Sequence, residues 1–543
     1  MRRRLNRTIS GLLMIALLCF MAMPALATEE GIADLSGELT GTTSAGETSE
    51  VPQNSANMQT ADVIIGYVAA EGAPLNPVYC NEWDLISVNQ LVFESVVDLD
   101  ENMKPVPMLA DSWTKDGKTW VFKLRSGIRF HNGYDLTSYD VVRSYETLLQ
   151  AGSANPYYGR LQLIDSMEAT DAQTLTVQAR YSGLVTLYGM NFPVMQYSTL
   201  ADDMPRGTGP YWYIQHDMDG TVRLEANPLW WKQQPGVQSV LLRRYAETGD
   251  ALEAIQINQI QMLSSNSSKA ALSRKLADLT SMDYTTLTYE MLIPNLHESS
   301  IMSDVRIRQA VMYAIDRSTI ASNAYVDMAI QSEVPIPPVS WLYESQSAVY
   351  YYSPERALQL MYEAGWYDLT GNGNLNRLDG IMLEEPSITL ITYNEPTTSI
   401  RQNAAELIAQ YLEAVGFDVT ISVLSRSSME NRIKNRDYDL ALVGVNLSEV
   451  PNLYELLSSK GSLNMNRYSS DEMDSLLSQA GSAATEAELL QIYSQIQMIV
   501  VDRLPIMGLL FRTGTVLSSR SIGGMYGLRA YDNFNGFEFL TMD

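Results

Sequence analysis

The sequence predicts a mixed α/β protein built in several lobes. Three observations predict it. The chain has 543 residues, more than one hydrophobic core supports, so two or three domains are expected. A strand–helix–strand pattern over 387–423 is the βαβ unit of a parallel sheet. An alternating pattern over 111–125 reads as an antiparallel hairpin.

The chain opens with an export signal. Arg2, Arg3, Arg4 and Arg7 are followed by an apolar run over 12–23 and by Ala25-Leu26-Ala27. This is the order of a signal peptide, with cleavage expected after Ala27. The apolar run is short for a bilayer span. Cleavage removes four arginines and no acid, taking the net charge from -26 to -30. Cys19 lies within the signal after Leu18, where a lipidated cysteine normally follows a small residue, so simple cleavage is favoured over a lipid anchor. Cys80 is then alone and forms no internal disulfide. Residues 28–60, rich in Thr, Ser, Gly and Glu, read as a disordered linker.

Order is expected from 62, where a short apolar run to 67 reads as a buried strand. In DSWTKDGKTW (111–120), Gly117-Lys118-Thr119 resembles the end of a phosphate loop, but Ser112 stands where that loop needs glycine. Trp120, Phe122 and Leu124 alternate with polar or smaller residues, so Asp116-Gly117 is read as a two-residue turn facing Trp113 onto Trp120. A helix is expected over 304–323, with Asp304 as N-cap. A second covers 400–415 and ends at Gly416, between strands 387–393 and 417–423. Residues 440–445 read as a strand. A third helix runs over 485–502 and is stopped by Pro505.

Composition narrows the function. The strong acidity argues against nucleic acid and against anionic lipid. His131, His216 and His297 have no metal spacing, and there is no HExxH, CxxC or GxSxG motif, so no metal, no cofactor and no catalytic residue is expected. Ser112-Trp113-Thr114-Lys115 matches S-x-x-K but lies in a strand. Asp368–Asn374 reads as a tight Asn-Gly turn. The alternative is a calcium loop, although position 3 is Thr370 and position 12 is Asp379 rather than Glu. The 31 tyrosines and eight tryptophans suit a ligand surface but also a core.

Residues 91–149, containing PMLADSWTKDGKTWVFKLRSGIRFHNG, resemble the signature stretch of the extracellular solute-binding protein family 5. These are the peptide- and nickel-type binding proteins of ABC importers. Arg206-Gly207-Thr208-Gly209-Pro210-Tyr211 resembles the family's GTGPY turn, and Asn227-Pro228-Leu229-Trp230-Trp231 its NPxYW stretch. Val305–Arg317, Glu363–Trp366 and Asn466–Tyr468 also resemble family segments, so the likeness covers 62 to about 520. Two tracts depart from the pattern. Asn258-Gln259-Ile260-Gln261 replaces GEID, and 444–449 lacks the Asp that meets a peptide's α-amino group, leaving Glu449 as the nearest carboxylate.

The resemblance implies a periplasmic-binding-protein-like clamshell (type II, cluster C), with two α/β lobes and an extra small lobe. Lobe I is expected from 61–92, 186–287 and 505–543, the extra lobe from 93–185, and lobe II from 288–504. Hinge crossings are expected near 285–295 and 500–510. The implied function is an extracytoplasmic, monomeric substrate-binding component that gives peptides to ABC permease subunits, with no nucleic-acid partner. Peptide would be held by backbone hydrogen bonds. The expected ligand-binding residues are Glu82 and Trp83, in a loop after the first strand, and Gly444, Val445, Asn446, Leu447 and Glu449, at a strand's C-terminal end. The alternatives are the same fold binding an oligosaccharide, an opine or a metal chelate, a peptide-signal receptor, and a secreted hydrolase.

Overall fold

The computed structural model describes residues 61–396 and 398–542. The expected signal peptide, Cys19 and the 28–60 linker lie outside them. Among the described residues no helix is long and apolar enough to cross a membrane.

One sheet runs through the molecule. Its strands lie in the order Asp418–Leu424, Ser387–Tyr393, Leu440–Asn446, Leu279–Pro294, Met507–Ser519, Met262–Ser265, Val63–Val68, Ser239–Tyr245, Val222–Ala226 and Tyr211–His216. Ser387–Tyr393 pairs in parallel with Asp418–Leu424, and helix Ile400–Glu413 joins them. This is the βαβ unit read from the sequence. Gly416, at φ +91°, follows the helix as its left-handed stop.

The buried apolar side chains gather into two large cores. One draws on 63–284 and 516–540, the other on 289–511. Among the described residues, Leu279–Pro294 and Met507–Ser519 are the segments that carry the chain between them. The change of core falls between Tyr284 and Tyr289 in one strand and between Phe511 and Val516 in the other. The second crossing therefore lies beyond the expected 500–510, because helix Glu486–Arg503 and Leu504 still pack in the second core. The pairing of these two strands slips between Thr285 and Tyr289, a local irregularity at the crossing itself.

The 304–323 helix is broken in two, Val305–Ala314 and Arg317–Asn323. Asp304 caps the first, accepting from the Arg306 amide at 2.9 Å. Asp316 causes the break, since its carboxylate accepts from the Thr319 amide and hydroxyl. A capping Asp competes with helix continuation at an interior position.

The hairpin of 111–125 belongs to a four-stranded antiparallel sheet, but its register differs from the expected one. Asp116 faces Thr119, so Gly117-Lys118 form the turn, and Trp113 faces Phe122 rather than Trp120. Gly117 has φ +56° and neither Asp116 nor Lys118 is positive, the arrangement that puts glycine first in the turn. Trp113 and Phe122 lie 6.0 Å apart, and the Lys115 ammonium sits over Trp120 at 5.5 Å. No phosphate loop forms here.

The family-like motifs meet one another in the first core. The buried Glu94 carboxylate accepts from Thr208 at 2.8 Å, Trp230 at 3.2 Å and Trp231 at 2.9 Å. His131 accepts from the Gly207 amide at 3.1 Å and its Nε2 lies 3.3 Å from the Gly209 carbonyl. Burial lowers its pKa to about 3, so it is a neutral strut. The Asp368 carboxylate turns inward onto the amides of Gly371, Asn372 and Gly373. That geometry is the tight turn read from the sequence.

Candidate functional site

The two lobes meet over a cleft lined from three parts of the chain. A cavity of about 110 Å³ is bounded by Met103 and Arg529 of the first lobe, Thr285 and Leu287 at the crossing, and Val339 and Glu449 of the second lobe. A smaller one of about 20 Å³ lies between Tyr188 and 447–453 and shares Met103 and Glu449. Its surroundings are closed by hydrogen bonds between lobes. Trp341 donates its amide to the Asn102 carbonyl at 2.9 Å and its indole to the Tyr188 hydroxyl at 3.0 Å. The Gly183 and Leu184 amides reach the carbonyls of Gly481 and Ala483.

Trp83 and Leu447 are brought together here. Both pack on the small cluster of Met103, Leu287 and Ala530, and Trp83 lies 4.6 Å from the Tyr531 ring. Leu447 is fixed by its amide, which donates to the Leu287 carbonyl at 2.9 Å. Glu82 and Trp83 do not lie in a loop. Glu82 is the N-cap of helix Trp83–Asn89, of which Trp83 is the first residue. Asp84 explains why, because its carboxylate accepts from the amide of Val68, the last residue of the first strand, at 2.8 Å.

The expected 444–449 tract divides. Glu449 is 6% exposed and its carboxylate accepts from Arg160 at 2.6 Å. Asn446 is exposed and binds the Thr288 hydroxyl at 2.8 Å. Val445 is buried in the second core. Gly444 faces a buried ion cluster. A Cβ there would stand 2.4 Å from Arg401 and 2.8 Å from Glu290, so glycine is what lets that cluster sit against the strand.

Several residues at the cleft carry no sequence signal. Arg160 comes from the short helix Tyr158–Leu161 and is held by the Asn191 carbonyl at 2.9 Å. Its guanidinium lies 5.5 Å from the centre of the Tyr157 ring and 5.9 Å from that of Tyr531. Arg529 pairs with Asp532 at 2.7 Å and with Asp98 at 3.4 Å. Burial raises Asp532 to about 6 despite that arginine.

Burial also raises Asp84, to about 7, against the opposing bond from Val68. A raised acid costs stability as pH climbs from the unfolded value of 3.8 to about 7, because the unfolded chain ionises first. Asp84→Asn is therefore expected to raise the melting temperature, by more at pH 8 than at pH 5. Equal shifts at the two pH values would show that Asp84 is ionised in the fold.

The comparisons agree with this architecture. Residues 104–465 match the bacterial extracellular solute-binding proteins, family 5. The oligopeptide-binding protein AppA of Bacillus subtilis is 22% identical over 525 residues, covering 92% of this chain and 93% of its own. Its structure in complex with a nonapeptide superposes with a TM-score of 0.57 at 21% identity, covering 89% and 98% of the two chains. A nickel ABC transporter structure from Bacillus halodurans superposes at 0.76 with 20% identity, covering 88% and 99%.

Proposed function

The chain belongs to the bacterial extracellular solute-binding proteins, family 5, and from that premise we propose that it is the solute-binding subunit of an ABC importer and takes peptides. The observation that carries this reading is the cleft. Two lobes joined by two strands close on Trp83 from one part of the sequence and on Leu447 and Glu449 from another. A cavity of about 110 Å³ is smaller than the usual ligand pocket of about 300–1,000 Å³. Ligand therefore enters with the lobes parted and is enclosed as they close, a hinge motion absorbed at a few residues of the crossing strands. The irregular pairing between Thr285 and Tyr289 suits that motion.

The lobe boundary at 288 is supported by the change of core, the added lobe 93–185 by the separate four-stranded sheet, and the second boundary is moved by the cores from 504 to between Phe511 and Val516. Export through the N-terminal signal, a monomeric state and delivery to membrane permease subunits complete the proposal. So does the absence of catalysis, which is supported by relatives named as binding proteins.

The test is native mass spectrometry of the mature protein purified without denaturation, followed by unfolding and identification of what is released. A series of masses resolving into short peptides is expected. A single non-peptide mass, such as a metal chelate, would overturn the peptide reading and leave the clamshell intact.

A further inference from the structure

The loop that closes the cleft from the second lobe is stiff, and its last residue is fixed to the first lobe. Pro335, Ile336, Pro337 and Ser340 line the smaller cavity and Val339 the larger. Prolines at 335, 337 and 338 fix much of this backbone, so the loop resists folding aside. Trp341 ends it. Besides the bonds of its amide to Asn102 and of its indole to Tyr188, its ring lies under the Lys104 ammonium at 5.6 Å, and Lys104 also reaches Glu486 of the second lobe at 2.8 Å. The Tyr188 hydroxyl extends the chain of bonds, donating to the Met103 carbonyl at 2.9 Å, and Met103 lines both cavities. Alongside, Val450 of the second lobe is buried among Leu99, Leu163, Val185 and Tyr188, and Leu184 packs on both cores. A Cβ at Gly183 would stand 2.7 Å from the Gly481 carbonyl oxygen, so the two backbones touch.

These contacts form only with the lobes closed, and they bound the space a ligand has. The crossing strands bound it too, through Thr285 and Leu287. What remains is about 110 and 20 Å³, against about 150 Å³ for a cavity that holds benzene. An extended chain spans about 3.3–3.6 Å per residue, so two residues measure about 7 Å and nine about 30 Å. A short ligand is enclosed with small side-chain shifts. A long one has to run out past Trp341, and it forfeits both hydrogen bonds of that residue, each worth up to about tenfold in an equilibrium.

We propose that Trp341 is a specificity-determining residue of the cleft, a bolt between the lobes that limits the ligand to short peptides of about two or three residues. This rests on the cleft being the peptide site proposed above. A residue that only braces the closed form gives a different pattern, since its loss weakens the capture of every length alike. Loss of a length gate moves the captured range to longer chains.

The experiment offers the mature protein an equimolar library of two- to nine-residue peptides, and native mass spectrometry reads the captured amount at each length. The wild-type protein is expected to favour two- and three-residue peptides over six- to nine-residue ones by about tenfold or more. Trp341→Ala is expected to bring that ratio close to one by taking up the longer peptides. Equal capture of short and long peptides by the wild-type protein overturns the inference, as does a Trp341→Ala variant that keeps the wild-type length range or weakens all lengths in parallel. If no peptide binds, the peptide reading falls, and yeast-extract solutes decide the role of Trp341. Capture confined to solutes no larger than a tripeptide, and extended to larger ones by Trp341→Ala, upholds the gate. Capture of larger solutes by the wild-type protein, an unchanged size range in the variant, or capture of nothing overturns it. Circular dichroism shows whether Trp341→Ala has folded. If it has not, Trp341→Phe replaces it and is read in the same way, with a smaller shift to longer chains expected, since it keeps a ring and loses the indole donor.

Discussion

Glu290→Gln is expected to lower the unfolding free energy by about 3–5 kcal/mol, the cost of breaking a buried ion pair by removing one partner. Glu290 is wholly buried. Its carboxylate accepts from Arg401 at 3.0 and 2.8 Å and from Arg512 at 2.7 Å. Glu395 completes the cluster, 2.8 Å from Arg512. Two arginines and two carboxylates balance, so removing one carboxylate charge leaves a cation uncompensated. The position adds to the effect. Glu290 and Arg512 lie on the two strands that cross between the lobes, and Arg401 and Glu395 belong to the second lobe.

The same cluster sets a pH dependence. Burial opposes ionisation of Glu290, but Arg512 and Arg401 outweigh it together and hold its pKa at about 2, against 4.5 unperturbed. A depressed acid contributes stability above its unfolded value. That contribution is lost as pH falls from about 4.5 to about 2 and amounts to roughly 3 kcal/mol. Urea unfolding of wild-type and variant proteins between pH 7 and pH 3 measures both effects. The gap between them should narrow toward pH 3. A gap that stays constant, or that starts below about 1 kcal/mol, would falsify the assignment of a desolvated cluster.

Gly207→Ala is the second large effect, with an expected loss of at least about 3 kcal/mol from overpacking. Its backbone angle is ordinary, and the constraint is space. An added Cβ would stand 2.0 Å from the Val92 carbonyl oxygen, which is backbone and cannot swing aside. Gly209 presses on the same peptide at 2.7 Å and donates its amide to the Val92 carbonyl at 3.0 Å. His131 would also lose its fit to the Gly207 amide. Gly249→Ala is the control, because nothing lies within 4 Å of a Cβ there. It should be neutral or stabilising by less than about 1 kcal/mol. Thermal unfolding of the two variants decides the matter, and similar melting temperatures would sink the close-approach argument.

Gly207, Thr208, Gly209, His131, Trp230 and Trp231 were legible as family motifs, and the structure gives them a shared task in the scaffold of the first lobe. The βαβ unit and helix Glu486–Arg503 were legible for a different reason. Their apolar periodicity is local, and Gly416 and Pro505 mark the stops. The break at Asp316 was missed because the apolar pattern continues through it, while a capping side chain overrides it. The hairpin register was missed because Asp116-Gly117 and Gly117-Lys118 are both acceptable turns. The placement of Glu82 and Trp83 on a helix depends on Asp84 reaching the first strand.

The sequence by itself determined an acidic α/β protein, its βαβ unit, the long helix before Pro505, and its family. Each rests on composition, on local periodicity or on short motifs, which are written within a few residues of one another. Only the tertiary structure decided which charges face each other. Arg160 and Glu449 are 289 residues apart, and Glu290 lies 111 residues from Arg401 and 222 from Arg512. No pattern in the sequence links such partners. They meet because two strands carry the chain between lobes, and burial then makes pairing obligatory for each charge the fold encloses.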